Sequence, residues 1–381
     1  MLHEECYLPY SQTAAGIGYE DQSFIIIHYS IVPFWVDWLR ALKPKVIVVD
    51  EAQAIKTNNT KRTNAVKALA RKVPHVIGLT GTPIVNRPSE AFNILQIIDR
   101  KTFPNQRKYA ERYCDRKLTY WGWDESGAIN IPELHELLSS VMLRRRKVDV
   151  LKSLPPKIRS FVPLELTNRK EYTAAEKDFI GYVRETEGKE AAKKANKAAA
   201  LTKVTFLRLL AARGKLEQAI DWIANTIEEQ KLVVFAVHRE ILDPVFNSFR
   251  KVAVRVDGSV NEAERGRAID RFQKDPKCRL FVGQTQAAGT GITLTAASNV
   301  AFLELPWTPG DLLQCEDRCH RIGQVNSVTI HYLLAANTID EKMADIIDRK
   351  RRILDSVHDG KLDITFPSIL AELLNLYNKR G

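Results

Sequence analysis

This sequence predicts an α/β protein with two parallel-sheet lobes and a largely helical stretch between them. Three observations lead there. Apolar, β-branched runs recur along the chain. Helical patterns separate most of them. The runs also fall into two clusters, with no strong strand signal over 83–231. The first cluster is SFIIIHYS (23–30), KVIVVD (45–50) and HVIGLTGT (75–82). The second is LVVFAV (232–237), VAVRVDG (252–258), RLFVGQ (279–284), NVAFLEL (299–305) and VTIHYLL (328–334). Strands apolar along their whole length belong to sheets covered on both faces, and alternation with helices makes those sheets parallel.

The interval between the clusters has its own texture. TYWGWDESG (119–127) is aromatic and rich in turn residues, and VMLRRRKVDVLKSLPPK (141–157) is basic and stops at a Pro-Pro break. The composition over 168–230 favours helix, above all in EAAKKANKAAALTK (190–203). That basic run suits either nucleic-acid phosphates or a solvated helix face, and the second reading is slightly favoured. IDEKMADIIDRKRRILDSV (339–357) reads as an amphipathic helix bracing the second lobe. The expected organisation is a partial first lobe over 1–112, a helical insertion over 113–215, a second lobe over 216–338 and a helical brace over 339–381.

Composition narrows the partners. A chain of 381 residues suggests two or three domains, and 45% hydrophobic residues allow a sizeable core. Fifty-seven basic against 46 acidic residues give a net charge of +11, which fits a polyanionic partner or simply a basic protein. The five cysteines cannot all pair within the chain, and MLHEECYLPY has neither a basic nor an apolar signal region. Reduced thiols in a cytoplasmic or nuclear setting are expected, not secretion. No apolar run approaches a membrane span. Cys315, Cys319 and His320 are close in sequence, but no second cysteine pair stands at ligand spacing, so a structural role is expected.

Several segments carry residues suited to phosphate chemistry. In QCEDRCHRIGQ (314–324), a helix would place Arg318 and Arg321 on one face, with Gln314 on the same side. Two guanidinium groups suit polyphosphate, although a lone R-x-x-R is more often a solvated helix with ion pairs. Asp50 and Glu51 follow an apolar strand, at the sheet edge where ligands bind in open α/β folds. They could divide metal binding and water activation between them, or merely cap a helix. Thr80, Gly81 and Thr82 in LTGTPI fit a tight polar turn or an ordinary strand exit. VDGSV (256–260) and GQTQAAGTGITLTAA (283–297) are loops after strands. Gly283, Gly289 and Gly291 permit close backbone approach, while Thr285, Gln286, Thr290 and Thr293 supply neutral donors. Such groups can hold a nucleic-acid backbone without reading bases, and they are equally at home in an ordinary loop. Trp307, in PWTP, is either a buried anchor or a nucleic-acid contact.

Taken together and in order, these segments resemble the Swi/Snf-type ATPases, the DNA-translocating branch of helicase superfamily 2. QCEDRCHRIGQ resembles motif VI, 287–310 motif V, VVDEAQAIK (48–56) motif II, LTGTPIVNRPSEAF (79–92) motif III and SFIIIHYS motif Ib. The resemblance covers roughly 23–354. The wording of 113–138, 234–243 and 302–335 is similar to the annealing-helicase subgroup. The resemblance implies two RecA-like lobes, ATP and Mg²⁺ as cofactors, and double-stranded or branched DNA bound without sequence specificity. It implies that Asp50 holds Mg²⁺ through water and that Glu51 orients and deprotonates the attacking water. Gly289 and Gly291 would lie at the ATP, and Arg318 and Arg321 would reach its phosphates as arginine fingers when the lobes close. Gln53, Thr80, Gly81, Thr82, Gln314 and Gln324 would couple nucleotide state to DNA. Gln53 stands where the family more often has His, and is expected to bond across the lobe interface. His28, Tyr29, Asp257, Gly258, Ser259, Thr285, Gln286 and Trp307 would face the DNA.

One motif is missing. Of three Gly-Lys pairs, at Gly188, Gly214 and Gly360, none is followed by Ser or Thr, so no phosphate-cradling P-loop is present. Only 49 residues precede Asp50. The expectation is a chain that begins partway through the first lobe, without its P-loop strand. The remaining strands would keep unpaired edges and exposed apolar faces, and that lobe would be poorly stable alone. A separate polypeptide carrying the P-loop half is then an expected partner. The alternative is a catalytically silent DNA-binding or regulatory fragment.

Overall fold

The computed structural model describes residues 6–7, 24–81, 88–119, 122–125, 127–143, 145, 147–186, 193–289, 291–358 and 369–378. They form two compact units, Met1–Leu143 with Ser356–Phe366, and Arg144–Asp355 with Pro367–Gly381.

The first unit runs β1 (Cys6–Tyr7), β2 (Phe24–Ile25), α1 (Val32–Ala41), β3 (Val46–Val49), α2 (Lys61–Ala70), β4 (His75–Gly78), α3 (Phe92–Ile98), α4 (Gln106–Tyr113), β5 (Lys117–Thr119), β6 (Gly122–Asp124) and α5 (Ile131–Val141). The helices start where sequence chemistry allows. The Thr60 hydroxyl accepts from the Thr63 amide at the head of α2, Asn105 accepts from Arg107 and Lys108 at the head of α4, and α1 has a proline in its first turn. β3 and β4 pair in parallel from Val46↔His75 to Val49↔Gly78. One face of this ribbon packs on Val32, Ala65, Val66, Leu69, Ile94 and Ile97. On the other face Val46, Val48, Ile77 and Leu79 are each 47–55% exposed. The run 23–30 yields only the two-residue β2, and its Phe24 and Ile26 are also exposed.

The second unit runs α6 (Lys147–Val150), β7 (Lys157–Leu164), α7 (Arg169–Thr186), α8 (Lys193–Gly214), α9 (Leu216–Glu229), β8 (Leu232–Ala236), α10 (Arg239–Ser248), β9 (Ala253–Val256), α11 (Glu262–Lys274), β10 (Leu280–Gln284), α12 (Thr285–Ala288), β11 (Asn299–Phe302), α13 (Pro309–Glu316), β12 (Val328–Ala335), α14 (Ile339–His358) and α15 (Ile369–Asn378). Its sheet has the order β7-β12-β11-β8-β10-β9, with every pairing parallel. β8 is central and buried throughout. Alternate residues of the strands feed two separate cores. Val233, Phe235, Phe281, Val300 and Phe302 pack on one face, and Leu232, Val234, Leu280, Val282 and Ala301 on the other. Each of these Val, Leu and Phe side chains contributes about 1.5–3 kcal/mol by leaving water.

The interval 113–215 is shared between the units and is not a body of its own. Its strand β7 carries no continuous apolar signal, because KIRSFVPL alternates and contains Pro163. That is the pattern of an edge strand. It adds to the sheet through eight registers with β12, from Val328↔Lys157 to Ala335↔Leu164. The C-terminal helices join the second unit through Lys342 and the Tyr377 hydroxyl, both on Glu176 of α7.

Candidate functional site

In the first unit β3 ends at Val49 and delivers Asp50 and Glu51 at its carboxyl end. Asp50 is exposed, and its Oδ1 accepts from the Glu51 amide at 2.9 Å. Among the described residues its Oδ2 has no hydrogen-bond partner. Glu51 adopts left-handed backbone (φ 45°, ψ 52°), a conformation that costs a non-glycine residue about 1–2 kcal/mol. The strain is held by the Ala52 amide on the Leu79 carbonyl at 2.8 Å, which ties motif II to the end of β4. The side chains continue that tie. Gln53 Nε2 donates to Glu51 Oε2 at 2.5 Å, and Thr80 Oγ1 donates to Gln53 Oε1 at 2.6 Å. Gln53 therefore spends both ends of its amide inside this unit, where bonding across a lobe interface was expected. Gly81 needs no special backbone, since nothing lies within 4 Å of a Cβ built there. Thr82 falls outside the described residues.

Tyr29 and His28 lie beside this loop. The Tyr29 hydroxyl donates to the Asp50 carbonyl, and the Arg62 guanidinium sits 5.8 Å from the Tyr29 ring centroid. Burial, with Asp50 adding to it, pushes the Tyr29 hydroxyl up to about 12. The hydroxyl therefore stays protonated as a donor. His28 is exposed and its Nδ1 is taken by Ser30.

In the second unit α13 ends at Glu316, so Arg318 and Arg321 sit in the tight turns that follow. The single helix face expected for them is not formed. The Arg318 amide bonds Cys315 O and the Arg321 amide bonds Cys319 O, closing turns too tight for an α-helix. The two guanidinium groups nevertheless converge, because each Nη1 donates to the Ile292 carbonyl at 3.3 Å. Arg318 is 8% exposed and also reaches the Gln314 carbonyl through Nε, whereas Arg321 is exposed. Gln324 is buried and directs Nε2 at the carbonyls of Thr295, Ala297 and Cys319.

Glu316, fully buried, anchors the segment. It accepts from Lys157 at 2.8 Å, from Arg159 Nη2 at 2.6 Å and from the Tyr332 hydroxyl at 3.0 Å. Burial alone would raise its carboxyl, but Lys157 and Arg159 outweigh that and hold it below the usual range. Asp317 takes Lys147 at 2.7 Å, and His320 Nε2 donates to the Pro155 carbonyl at 2.8 Å. Cys315 and Cys319 are buried, and burial pushes both thiols up. Among the described residues no group of three or more His, Cys, Asp or Glu could hold a metal.

The other expected contact residues line the carboxyl edge of the parallel sheet. Asp257, after β9, is 3% exposed and points inward to Ser259, Arg255 and Arg239, so its carboxylate organises the loop. Burial would raise it, yet the Ser259 hydrogen bonds and Arg255 hold it low. The Gly258 amide is bound by Gln284 Oε1 at 3.3 Å. Thr285 is buried and Gln286 exposed. A Cβ on Gly289 would meet the Thr285 carbonyl oxygen at 2.4 Å, and Gly291 has φ +66°, so both positions need glycine. Thr290 lies outside the described residues. Trp307 is half-buried, with the Arg208 guanidinium 4.5 Å from its ring centroid.

The SNF2-related domain matches residues 12–219, more than half of the chain, and the helicase conserved C-terminal domain matches 214–323. The chain belongs to the SNF2-related family. It is 37% identical over 338 residues to the DNA annealing helicase and endonuclease ZRANB3 of Homo sapiens, covering 86% of this chain and 31% of that protein. It is 36% identical over 322 residues to the SWI/SNF-related matrix-associated actin-dependent regulator of chromatin subfamily A-like protein 1 of Xenopus laevis, covering 81% and 32%. The chain thus spans about a third of the length of these curated relatives. Among solved structures, a Sulfolobus solfataricus SWI2/SNF2 ATPase core in complex with dsDNA aligns with TM-score 0.44 and 25% identity, over 94% of this chain and 78% of that one.

Within the SNF2-related framework, sequence reasoning missed one cluster. His238 donates from Nδ1 to the buried Glu304 at 2.6 Å, and Glu304 also takes the amides of Val237 and His238. Arg208 of α8 donates to the Leu305 carbonyl and covers Trp307. The segment VFAVHREILD stood out in sequence, but its histidine was given no role. The buried partner that explains it lies 66 residues away.

Proposed function

We propose that this chain is the motif Ib-to-VI part of an ATP-driven translocase acting on double-stranded or forked DNA, in remodelling, strand annealing or repair. The observation that carries the reading is the hydrogen-bond chain Glu51–Gln53–Thr80, which joins the water-activating carboxylate to motif III. An exposed Asp50 with one open carboxylate oxygen fits Mg²⁺ held through water. Among the described residues no third metal-ligating side chain joins Asp50 and Glu51, so phosphate and water would supply the remaining ligands. Bound Mg²⁺ would neutralise charge on the β- and γ-phosphates. Glu51, fixed by Gln53, is placed to take a proton from the attacking water. Arg321 is the finger, and Arg318, buried and tied to the same carbonyl, positions it. Gly289 and Gly291 set the loop against which both arginines are packed.

No residue of the 381 supplies a GKT-type cradle. Hydrolysis therefore requires that cradle from another segment or polypeptide, and the half-exposed face of β3 and β4 is where such a segment would pack. DNA is the partner, held by backbone contacts at the carboxyl edge of the second sheet. The compartment is the one that holds DNA, nuclear or cytoplasmic. Among the described residues no helix is long and apolar enough to cross a membrane.

The test is DNA-stimulated ATP hydrolysis by the chain complemented with a GKT-bearing segment. Arg321→Ala should lower the rate by roughly 10³–10⁵. An unchanged rate removes the finger assignment. The missing cradle also favours a second reading, a DNA-binding or regulatory fragment. That reading expects salt-sensitive DNA binding and no hydrolysis under any complementation.

A further inference from the structure

Arg321 is exposed, and its guanidinium contacts the Ile292 carbonyl at 3.3 Å. A contact that long is weak, so the setting of this side chain depends on the backbone beneath it. That backbone is gripped by the segment 147–159. Lys157 and Arg159 hold Glu316, and Lys157 also reaches Asp317 at 3.2 Å. Lys147 adds a separate hold. Its ammonium pairs with Asp317 Oδ2 at 2.7 Å and donates to the His320 carbonyl at 3.0 Å. That carbonyl and the Arg321 amide belong to one planar peptide unit. The amide side of the same plane donates to Cys319 O at 3.1 Å. The plane from which Arg321 projects is therefore fixed on both sides. The ring of His320 is fixed as well, on the Pro155 carbonyl at 2.8 Å.

We propose that Lys147 is a positioning residue for Arg321, holding its peptide plane so that the guanidinium meets the phosphates in a single setting. The proposal rests on the reading of Arg321 as the finger, and it adds a residue outside motif VI. An ammonium suits the task, since it has three donors and the carboxylate and carbonyl take two of them. Burial lowers the Lys147 ammonium, Asp317 opposes that, and Lys157 and Arg321 add to the fall. Lys147 and Arg321 thus lie within each other's field, and repulsion turns the guanidinium away from the ammonium. Glu316 and Asp317 keep Lys157 and Arg159 when Lys147 is replaced, so the clamp on α13 survives the substitution. Lys147 also follows closely on the boundary between the two units, at Leu143 and Arg144. The setting of Arg321 then depends on a segment that joins them.

Two measurements test this. The first is amide hydrogen exchange of the full 381-residue chain, read by mass spectrometry. Lys147→Ala should speed exchange over 319–324 by about tenfold or more, as expected for loss of a charge-assisted hydrogen bond, and leave β8 unchanged. Lys147→Met keeps the stem without the charge and should do the same. Lys147→Arg keeps the charge and the donors and should return exchange toward the wild type. Lys152→Ala, exposed in the same segment, should change nothing. Wild-type exchange over 319–324 in Lys147→Ala, or equal acceleration of β8, overturns the proposal. The second is hydrolysis by the chain complemented with a GKT-bearing segment. Lys147→Ala should lower kcat by roughly 10²-fold, the cost of a misplacement of about 1 Å, with KM for ATP little changed. In the Arg321→Ala background it should cost nothing further. A loss that persists there means that Lys147 does not act through Arg321, and overturns the proposal. Absence of hydrolysis by the complemented wild type removes the ATPase reading instead, and the exchange rates still decide whether Lys147 holds the turn.

Discussion

Arg318 and Arg321 share one carbonyl, that of Ile292, yet differ in exposure. That difference assigns them separate work. Arg318 is enclosed, and removing its guanidinium takes a donor from the Gln314 and Ile292 carbonyls and leaves a void, so Arg318→Ala should cost about 1–3 kcal/mol of stability. Arg321 is exposed, and Arg321→Ala should stay within about 0.5 kcal/mol of the wild type. Urea unfolding of the two variants checks this without any hydrolysis assay. That these two arginines belong to one arrangement was legible from the motif. Their geometry was not. A spacing of three implies one helix face only if the helix continues, and here the turns after Glu316 end it. What makes those turns affordable is a set of long-range partners that no local pattern displays.

At the scale of elements, the acidic pair Glu316 and Asp317 fastens the end of α13 to α6 and β7. Lys147, Lys157 and Arg159 all come from the interval that sequence reading treated as an insertion. The strand β7 was missed because its sequence alternates and contains proline, while the other five strands of the sheet, richer in continuous apolar residues, were read within a few residues of their ends. The clamp should be visible in acid. The folded-state carboxyls of Glu316 and Asp317 lie below their ordinary values, so their contribution is complete above the usual carboxylate range and is lost as pH falls through the folded values. Thermal melts from about pH 5 down to about pH 2 should therefore show a steep acid limb, and Glu316→Gln should flatten it. Glu316→Ala leaves Arg159 and Lys157 facing a void, and the expected loss is about 3–5 kcal/mol at neutral pH.

The whole molecule divides into two units of unequal finish. The second encloses β8 between two apolar layers. The first leaves Val46, Val48, Ile77 and Leu79 half-exposed on one face of a parallel ribbon, although parallel strands are ordinarily covered on both sides. An apolar dye that binds exposed hydrophobic surface should bind the full chain in its native state. Val48→Thr with Ile77→Thr should reduce that binding while leaving the main unfolding transition in place. Dye binding unchanged by the pair would put the exposed surface elsewhere. That two lobes exist, and that the first would show bare strands, was legible from the clusters of apolar runs and the missing GKT. The allocation of 113–215 between the units was not, because it depends on contacts such as Tyr377 with Glu176, far apart in sequence.

The bridge through Gln53 has a consequence of its own. An amide has a donor end and an acceptor end that protons cannot exchange. With Nε2 committed to Glu51, the oxygen must face Thr80, and the threonine hydroxyl hydrogen must point back toward the glutamine. The message between the two motifs therefore runs with a fixed polarity. An imidazole in the same place would gain or lose a proton near neutrality and could reverse one of those bonds. Glutamine does not ionise, so Gln53 itself adds no titration to this joint, and its donor and acceptor ends keep their places whatever the surrounding pH.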